Sequence, residues 1–225
     1  SSEFRDSIEV DGTFDVESDR YHLYISHACP WAHRTLITRA ILGLEKHITV
    51  DVVDWRMNPN GSWSFNPDEE GATADTINGE DSLEGIYNRA FDGWSASGNI
   101  GTVPVLWDKK HETIVNNESS EIIRMLDTLA QSGLGNGATL CPAQLKQDIE
   151  AMIDANYEAV NNGVYKSGFA RTQSAYDEAV TALFARLDEL EAHLEGREWL
   201  VGDGKGQLTE ADICLFPTLV RFDLV

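Results

Sequence analysis

Tyr21-His22-Leu23-Tyr24-Ile25-Ser26 is the run that leaves this chain the fewest ways to fold. It alternates and is filled with aromatic and β-branched residues, so it reads as a strand. Cys29 and Pro30 follow closely. Residues 30–44 then place Ala32, Leu36, Ile37, Ala40 and Ile41 at helical spacing, with Gly43 as a stop signal. Residues 48–53 form a second apolar, β-rich run. Strand, helix, strand in that order predicts a parallel βαβ unit.

The junction between the first strand and its helix holds a thiol. A cysteine at a helix start faces unpaired backbone N–H groups and the positive end of the helix dipole. Both stabilise the thiolate, the reactive form. Pro30 suits the first helical position, where no N–H is needed, and His33 and Arg34 add positive potential. The competing reading is a buried, inert cysteine; the junction position favours reactivity.

Farther along, the pattern weakens over residues 54–101, apart from a helical stretch at 82–91. Long irregular insertions of this kind are often functional. Thr102-Val103-Pro104-Val105-Leu106-Trp107-Asp108 reads as a strand whose early proline marks a cis bond or an edge position. A turn at 109–112 returns Thr113-Ile114-Val115 as its hairpin partner, and Asn116-Asn117-Glu118-Ser119 leads into a helix carrying Ile122, Ile123, Met125, Leu126 and Leu129. Residues 132–139 are rich in Gly, Asn and Ser and read as a linker. Helices are predicted beyond it over 142–161 and 174–194. Thr209-Glu210-Ala211-Asp212 forms a capping box that opens a final apolar helix. Three parts result: a lead-in at 1–20, an α/β domain at 21–131 and an all-helical domain at 140–225. The apolar last helix leads to the expectation that the helical domain is incomplete.

Composition narrows the function classes. The 38 acidic residues against 17 basic ones give a net charge of −21, and the acids are dispersed. Phosphate binding needs the opposite sign, which argues against nucleic acid. The three cysteines, Cys29, Cys141 and Cys214, are far apart and show no CxxC spacing. That argues against a disulfide scaffold or a metal site and suits a reducing, cytoplasmic setting. No apolar run approaches a membrane span. The excess of acid also suggests a halophilic source, because concentrated salt screens self-repulsion.

Four stretches read as one site. Cys29 supplies the nucleophile. In a thioredoxin-like fold, Val103-Pro104 sits beside it and offers backbone groups to an extended peptide. Glu118-Ser119 at a helix start suits a ligand carboxylate, with Glu118 available to a ligand ammonium; an ordinary N-cap is the other reading. Such a site fits a γ-glutamyl thiol peptide.

The segments 21–34, 102–126, 161–170 and 208–223, with Cys29-Pro30-Trp31-Ala32-His33-Arg34 and Val115-Asn116-Asn117-Glu118-Ser119-Ser120 as their most specific motifs, resemble the glutathionyl-hydroquinone reductases, the Xi class of glutathione transferases. The resemblance covers nearly the whole chain. It implies a thioredoxin-like N-terminal domain, a glutathione-transferase-like helical domain and a homodimer. It also implies a metal-free reaction in which Cys29 takes the glutathionyl group from a thiolated hydroquinone as a mixed disulfide that a second thiol resolves. By the same resemblance, Trp63 packs on the thiol peptide, Val103, Glu118 and Ser119 bind it, and Tyr165 hydrogen-bonds the hydroquinone oxygen. Packing alone is the other reading of Trp63, and a core hydroxyl the other reading of Tyr165.

Two departures stand out. Where the family carries an arginine before the Val-Pro pair, this chain has Asn99-Ile100-Gly101-Thr102. Losing that contact weakens binding of an exposed carboxylate by about 0.5–3 kcal/mol. The co-substrate is therefore glutathione or the smaller γ-glutamylcysteine. Leu224 stands where the family has proline, and the family normally continues well past residue 223. An Omega-like thiol transferase would use the same Cys29, and a non-catalytic binding module would lack it. The long insertion and Tyr165 favour the hydroquinone reading.

Overall fold

Strand β1 (Tyr21–Ile25) is buried along its whole length. It pairs in parallel with β2 (Ile48–Val52), in register from Tyr21↔Ile48 to Ile25↔Val52, and α1 (Pro30–Ile41) makes the crossover. On its other side β1 pairs antiparallel with β3 (Val105–Asp108), Tyr21 opposite Asp108 and Tyr24 opposite Val105. Strand β4 (Thr113–Asn116) closes a sheet of order β2-β1-β3-β4, and α3 (Ser119–Leu129) follows and packs beside α1. This is the thioredoxin-like βαβ–ββα arrangement. The computed structural model describes residues 3–203 and 206–222; Asp223 and Leu224, named above, lie outside them. The chain divides into two compact units between Ala138 and Thr139.

Local chemistry sets the boundaries. Helix α1 stops at Ile41, short of residue 44, because Gly43 takes a left-handed φ of 70°. There the Gly43 N–H reaches Ala40 O at 3.1 Å and the Leu44 N–H reaches Arg39 O at 2.9 Å, which satisfies carbonyls at the helix end. Strand β3 starts at Val105, not at 102, since Pro104 has no N–H and the Val103–Pro104 bond is cis. The strand is central, so the edge reading of that proline does not hold.

The insertion is tied to one face of the sheet. It contains α2 (Leu83–Ala90). The buried Asp75 accepts the N–H groups of Ile77, Asn78 and Glu80 at 2.9–3.1 Å and the Tyr24 hydroxyl at 2.9 Å. The N–H and hydroxyl of Thr76 both donate to Asp51 Oδ2, at 2.6 and 2.8 Å. Burial pushes the Asp51 carboxyl upward, but hydrogen bonds from His22 and Thr76 outweigh it and hold it below its ordinary value. The lead-in belongs to the same unit: Arg5 bridges to Asn116, and the Asp6 N–H donates to Val115 O at 3.0 Å. Edge strand β4 is thereby covered.

The helical unit consists of α4 (Lys146–Asn156), α5 (Gly163–Gly168), α6 (Gln173–His193) and α7 (Glu210–Leu219). Its core gathers Ile149, Val160, Leu183, Leu190, Leu200, Val201, Ala211 and Leu215. The single helix predicted over 142–161 is broken. After α4 the chain widens into a π turn over Tyr157–Asn161, with the Asn162 N–H on Tyr157 O at 2.8 Å. Asn161 is the physical reason: it is buried, and its amide donates to Cys214 O at 3.1 Å and Thr218 Oγ1 at 2.9 Å on α7. The extra residue in the turn aims it there. The Thr209–Asp212 capping box forms as read. Among the described residues no helix is long and apolar enough to cross a membrane.

Candidate active site

Cys29 is the N-cap of α1, with extended backbone (φ −90°, ψ 116°), and no side-chain hydrogen bond caps that helix end. No acidic residue lies in its first turn, so the positive end of the dipole is undiminished there. The Cys29 N–H is held by Ser26 O and its carbonyl accepts the His33 N–H, each at 3.1 Å. This backbone grip fixes the direction of the side chain. The half-buried Sγ–H donates to Val103 O at 3.6 Å. The carbonyl it meets precedes the cis bond to Pro104, so the thiol and the cis-proline segment, read separately in the sequence, come together.

The start of α3 joins them through Arg34. Ser119 is the first residue of α3 and Glu118 its N-cap. The buried Arg34, on α1, donates from Nη1 to Ser119 Oγ at 3.3 Å, while its guanidinium lies 4.4 Å from the Trp31 ring centroid. Glu118 Oε1 is shared by the Ser119 hydroxyl (3.4 Å), the Ser120 N–H (3.4 Å) and the Ser120 hydroxyl (3.3 Å). The Glu118 N–H donates to Asn116 Oδ1 at 2.7 Å. The N-cap reading of Glu118 holds: it caps its helix, through long and shared hydrogen bonds. Helix-start N–H groups, a serine hydroxyl and a carboxylate together suit a zwitterionic amino-acid terminus.

The other named residues are placed differently. Trp63 lies in the insertion, half-buried, and its carbonyl accepts the Leu83 N–H at 2.8 Å, which anchors its backbone to the start of α2. Ile100, in the stretch that departs from the arginine pattern, is half exposed, and its Cδ1 lies 3.3 Å from where a Cβ on Gly61 would be. Tyr165 belongs to the helical unit, on α5, where its ring stacks on Phe169 at 6.2 Å. The Cys29 geometry above is that of the first unit alone. The sequence reading missed the bridging role of Arg34 and the part of Ser120, whose N–H and hydroxyl both donate to the capping Glu118. An arginine at a core-facing helical position, and serine repeated at a helix start, were the available signals.

A cysteine capping the crossover helix of a thioredoxin-like unit, facing a cis-proline carbonyl and ahead of a helical unit, is the architecture of a glutathione transferase. Residues 28–129 match the family model described as the N-terminal domain of glutathione S-transferase, and residues 173–225 match that of its C-terminal domain. Glutathionyl-hydroquinone reductase PcpF of Sphingobium chlorophenolicum is 50% identical over 96% of this chain and 66% of its own length. Glutathionyl-hydroquinone reductase YqjG of Escherichia coli K12 is 48% identical over the whole of this chain and 69% of its own length. The glutathione-bound structure of YqjG superimposes with a TM-score of 0.90 at 47% identity, covering 99% of this chain and 72% of that one. Glutathione transferase Xi 1 from Trametes versicolor does so with a TM-score of 0.93 at 49% identity, covering 100% and 76%. The chain belongs to the glutathionyl-hydroquinone reductase family, the Xi class of glutathione transferases. It spans about two thirds of the length of the curated relatives PcpF and YqjG.

Proposed function

We propose that this chain carries the catalytic thiol of a reductase that removes the glutathionyl group from thiolated hydroquinones. The observation that carries this is Cys29 as N-cap of α1 with its sulfur on the carbonyl before cis-Pro104, in a chain about half identical to two glutathionyl-hydroquinone reductases. In the first step the Cys29 thiolate attacks the sulfur of the glutathionyl group. The S–S bond of a mixed disulfide forms, the aryl carbon–sulfur bond breaks, and its electron pair leaves on the ring carbon, which takes a proton to give the hydroquinone. In the second step a free thiol attacks the mixed disulfide, giving a thiol disulfide and regenerating Cys29. In net terms the free thiol and the thioether sulfur are oxidised together to the disulfide, and the aryl carbon is reduced.

Glu118 and Ser119 bind the γ-glutamyl end of the peptide, Val103 and Pro104 its backbone, and Trp63 its outer side. Tyr165 hydrogen-bonds the hydroquinone oxygen. In this reading residues 21–131 are the thiol-binding domain and 140–225 the helical domain. The co-substrate is glutathione, with γ-glutamylcysteine the competitor suggested by Asn99-Ile100-Gly101-Thr102 in place of the arginine. The protein works as a homodimer in the cytoplasm of a halophile, a setting supported by its net charge of −21.

Incubation with S-glutathionyl-hydroquinone and excess thiol, followed by chromatography, tests the reading. Hydroquinone and thiol disulfide are expected in equal amounts. Turnover of hydroxyethyl disulfide with no release of hydroquinone would replace it with the Omega-like thiol transferase reading.

A further inference from the structure

Tyr87, on α2, takes no part in the reaction above, yet it touches both segments assigned to the peptide. Its side chain is fully buried, and burial pushes its ionisation upward, so the hydroxyl remains an O–H. That hydroxyl donates to Thr102 O at 2.8 Å and accepts from the Thr102 N–H at 3.3 Å and from Asn117 Nδ2 at 2.9 Å. One donor and two lone pairs are thus fully used. Thr102 immediately precedes Val103, and Asn117 immediately precedes Glu118. The preceding residue, Gly101, lies against the ring: a Cβ there would come within 2.7 Å of Tyr87 Cδ2. Asn117 is held in turn by the lead-in, with the Phe4 N–H on its Oδ1 at 3.3 Å and its own N–H on Phe4 O at 3.2 Å. The rings of Phe4 and Trp94 brace Tyr87 at 5.7 and 4.9 Å.

We propose that Tyr87 is a positioning residue for thiol-peptide binding, its hydroxyl setting the spacing between Thr102-Val103 and Asn117-Glu118. The proposal rests on the thiol-peptide reading of the site. The two segments are distant in sequence and belong to different elements, and no ladder hydrogen bond pairs Thr102 with Asn117 in the described register. A peptide held at one end by the backbone before cis-Pro104 and at the other by the start of α3 needs those two anchors at a fixed separation. Without the hydroxyl, two half-buried backbone groups of Thr102 and the buried Asn117 amide lose their shared partner. The segments then move to find new ones, and small displacements of positioning groups are expensive.

The test is calorimetric titration of S-methylglutathione, a thioether that cannot form a disulfide with Cys29, into wild type, Tyr87→Phe and Tyr21→Phe. Tyr21 is equally buried, but its hydroxyl donates to Asp15 O, at the opposite end of β1 from Cys29. Tyr87→Phe is expected to weaken binding about tenfold, and to raise the KM for the thiol while leaving kcat within about twofold. Asn117→Ala shifts Kd in the same direction. Tyr21→Phe leaves Kd within about twofold whatever its Tm. Wild-type affinity in Tyr87→Phe, or losses of affinity in both tyrosine variants that simply track their losses of Tm, would overturn the proposal. Failure of wild type itself to bind S-methylglutathione would instead overturn the thiol-peptide reading beneath it.

Discussion

The two ends of the central sheet are built on opposite terms. At the Tyr21–Asp108 end the polar groups are saturated by short bonds. Arg20 grips the buried Asp108 with two hydrogen bonds of 2.8 and 2.7 Å and donates to Thr13 O at 2.9 Å. The Lys110 N–H at 3.0 Å and the His111 ring at 2.6 Å complete the shell of the same carboxylate. At the other end, where Ile25 leads to Cys29 and Val105 follows cis-Pro104, the backbone is held by short bonds such as Glu118 N–H to Asn116 Oδ1 at 2.7 Å, but three side-chain contacts are long: 3.6 Å for the Cys29 sulfur, 3.3 Å from Arg34 to Ser119, and 3.3–3.4 Å for three donors sharing one oxygen of Glu118. Short, saturated contacts leave nothing to offer a ligand. Long, shared ones can be exchanged for better ones when a ligand arrives. One end holds the fold, and the other is the end proposed above to bind the thiol peptide.

The contrast is open to attack at both ends. The largest effect is expected from Cys29→Ser, which should lower hydroquinone release at least about a thousandfold while leaving Tm nearly unchanged. Asp108→Asn should do the reverse. It removes the buried carboxylate that Arg20 grips, leaving only the exposed Glu17 at 3.6 Å beside the charge, and should cost about 3 kcal/mol in urea unfolding, with kcat/KM of the folded protein intact. The pH dependence follows from the same group. Burial pushes the Asp108 carboxyl up, but the bonds from Arg20, Lys110 and His111 outweigh it and hold it below the usual carboxylate range. Its contribution is therefore complete above the unfolded value of about 4 and is lost as pH falls through the lower folded value. Urea midpoints measured from pH 7 down to pH 3 should drop for wild type along a limb that Asp108→Asn flattens.

Smaller effects sharpen the picture. Glu118→Gln keeps the shape of the cap but removes its charge, and should raise the KM for the thiol about tenfold with kcat within about twofold. An unchanged KM would reduce Glu118 to a helix cap. Smallest is the response to salt. If the 38 acidic residues reflect a halophilic setting, Tm should climb by several degrees between dilute buffer and about 2 M KCl. The gain should be similar in Asp108→Asn, since buried pairs are poorly screened. Maximal stability in dilute buffer would remove the halophilic reading.

The alternation of residues 21–26, the helical spacing after Pro30 and the turn at 109–112 made the sheet readable, because each is a local signal with a fixed period. Gly43 was legible as a stop, although α1 ends a few residues earlier than the pattern suggests. Cys29, Pro104 and Glu118-Ser119 could be grouped only by supposing a thioredoxin-like fold, since nothing local says that a strand start and a helix start are neighbours. Tyr87 was legible as a core residue of a helix and no more: its role depends on which carbonyl and which amide the fold delivers to its hydroxyl. The break at Asn161 was hidden for the same reason. A buried asparagine imposes a π turn only once α7 has brought Cys214 and Thr218 alongside.

In the proposed reaction everything depends on a mixed disulfide at Cys29. Mass spectrometry of the intact protein after brief exposure to S-glutathionyl-hydroquinone without added thiol tests it most directly. A single glutathione adduct is predicted, mapped to Cys29, absent in Cys29→Ser and removed by a second thiol. Hydroquinone release with no adduct at Cys29, or an adduct on Cys141 or Cys214 in its place, would contradict it.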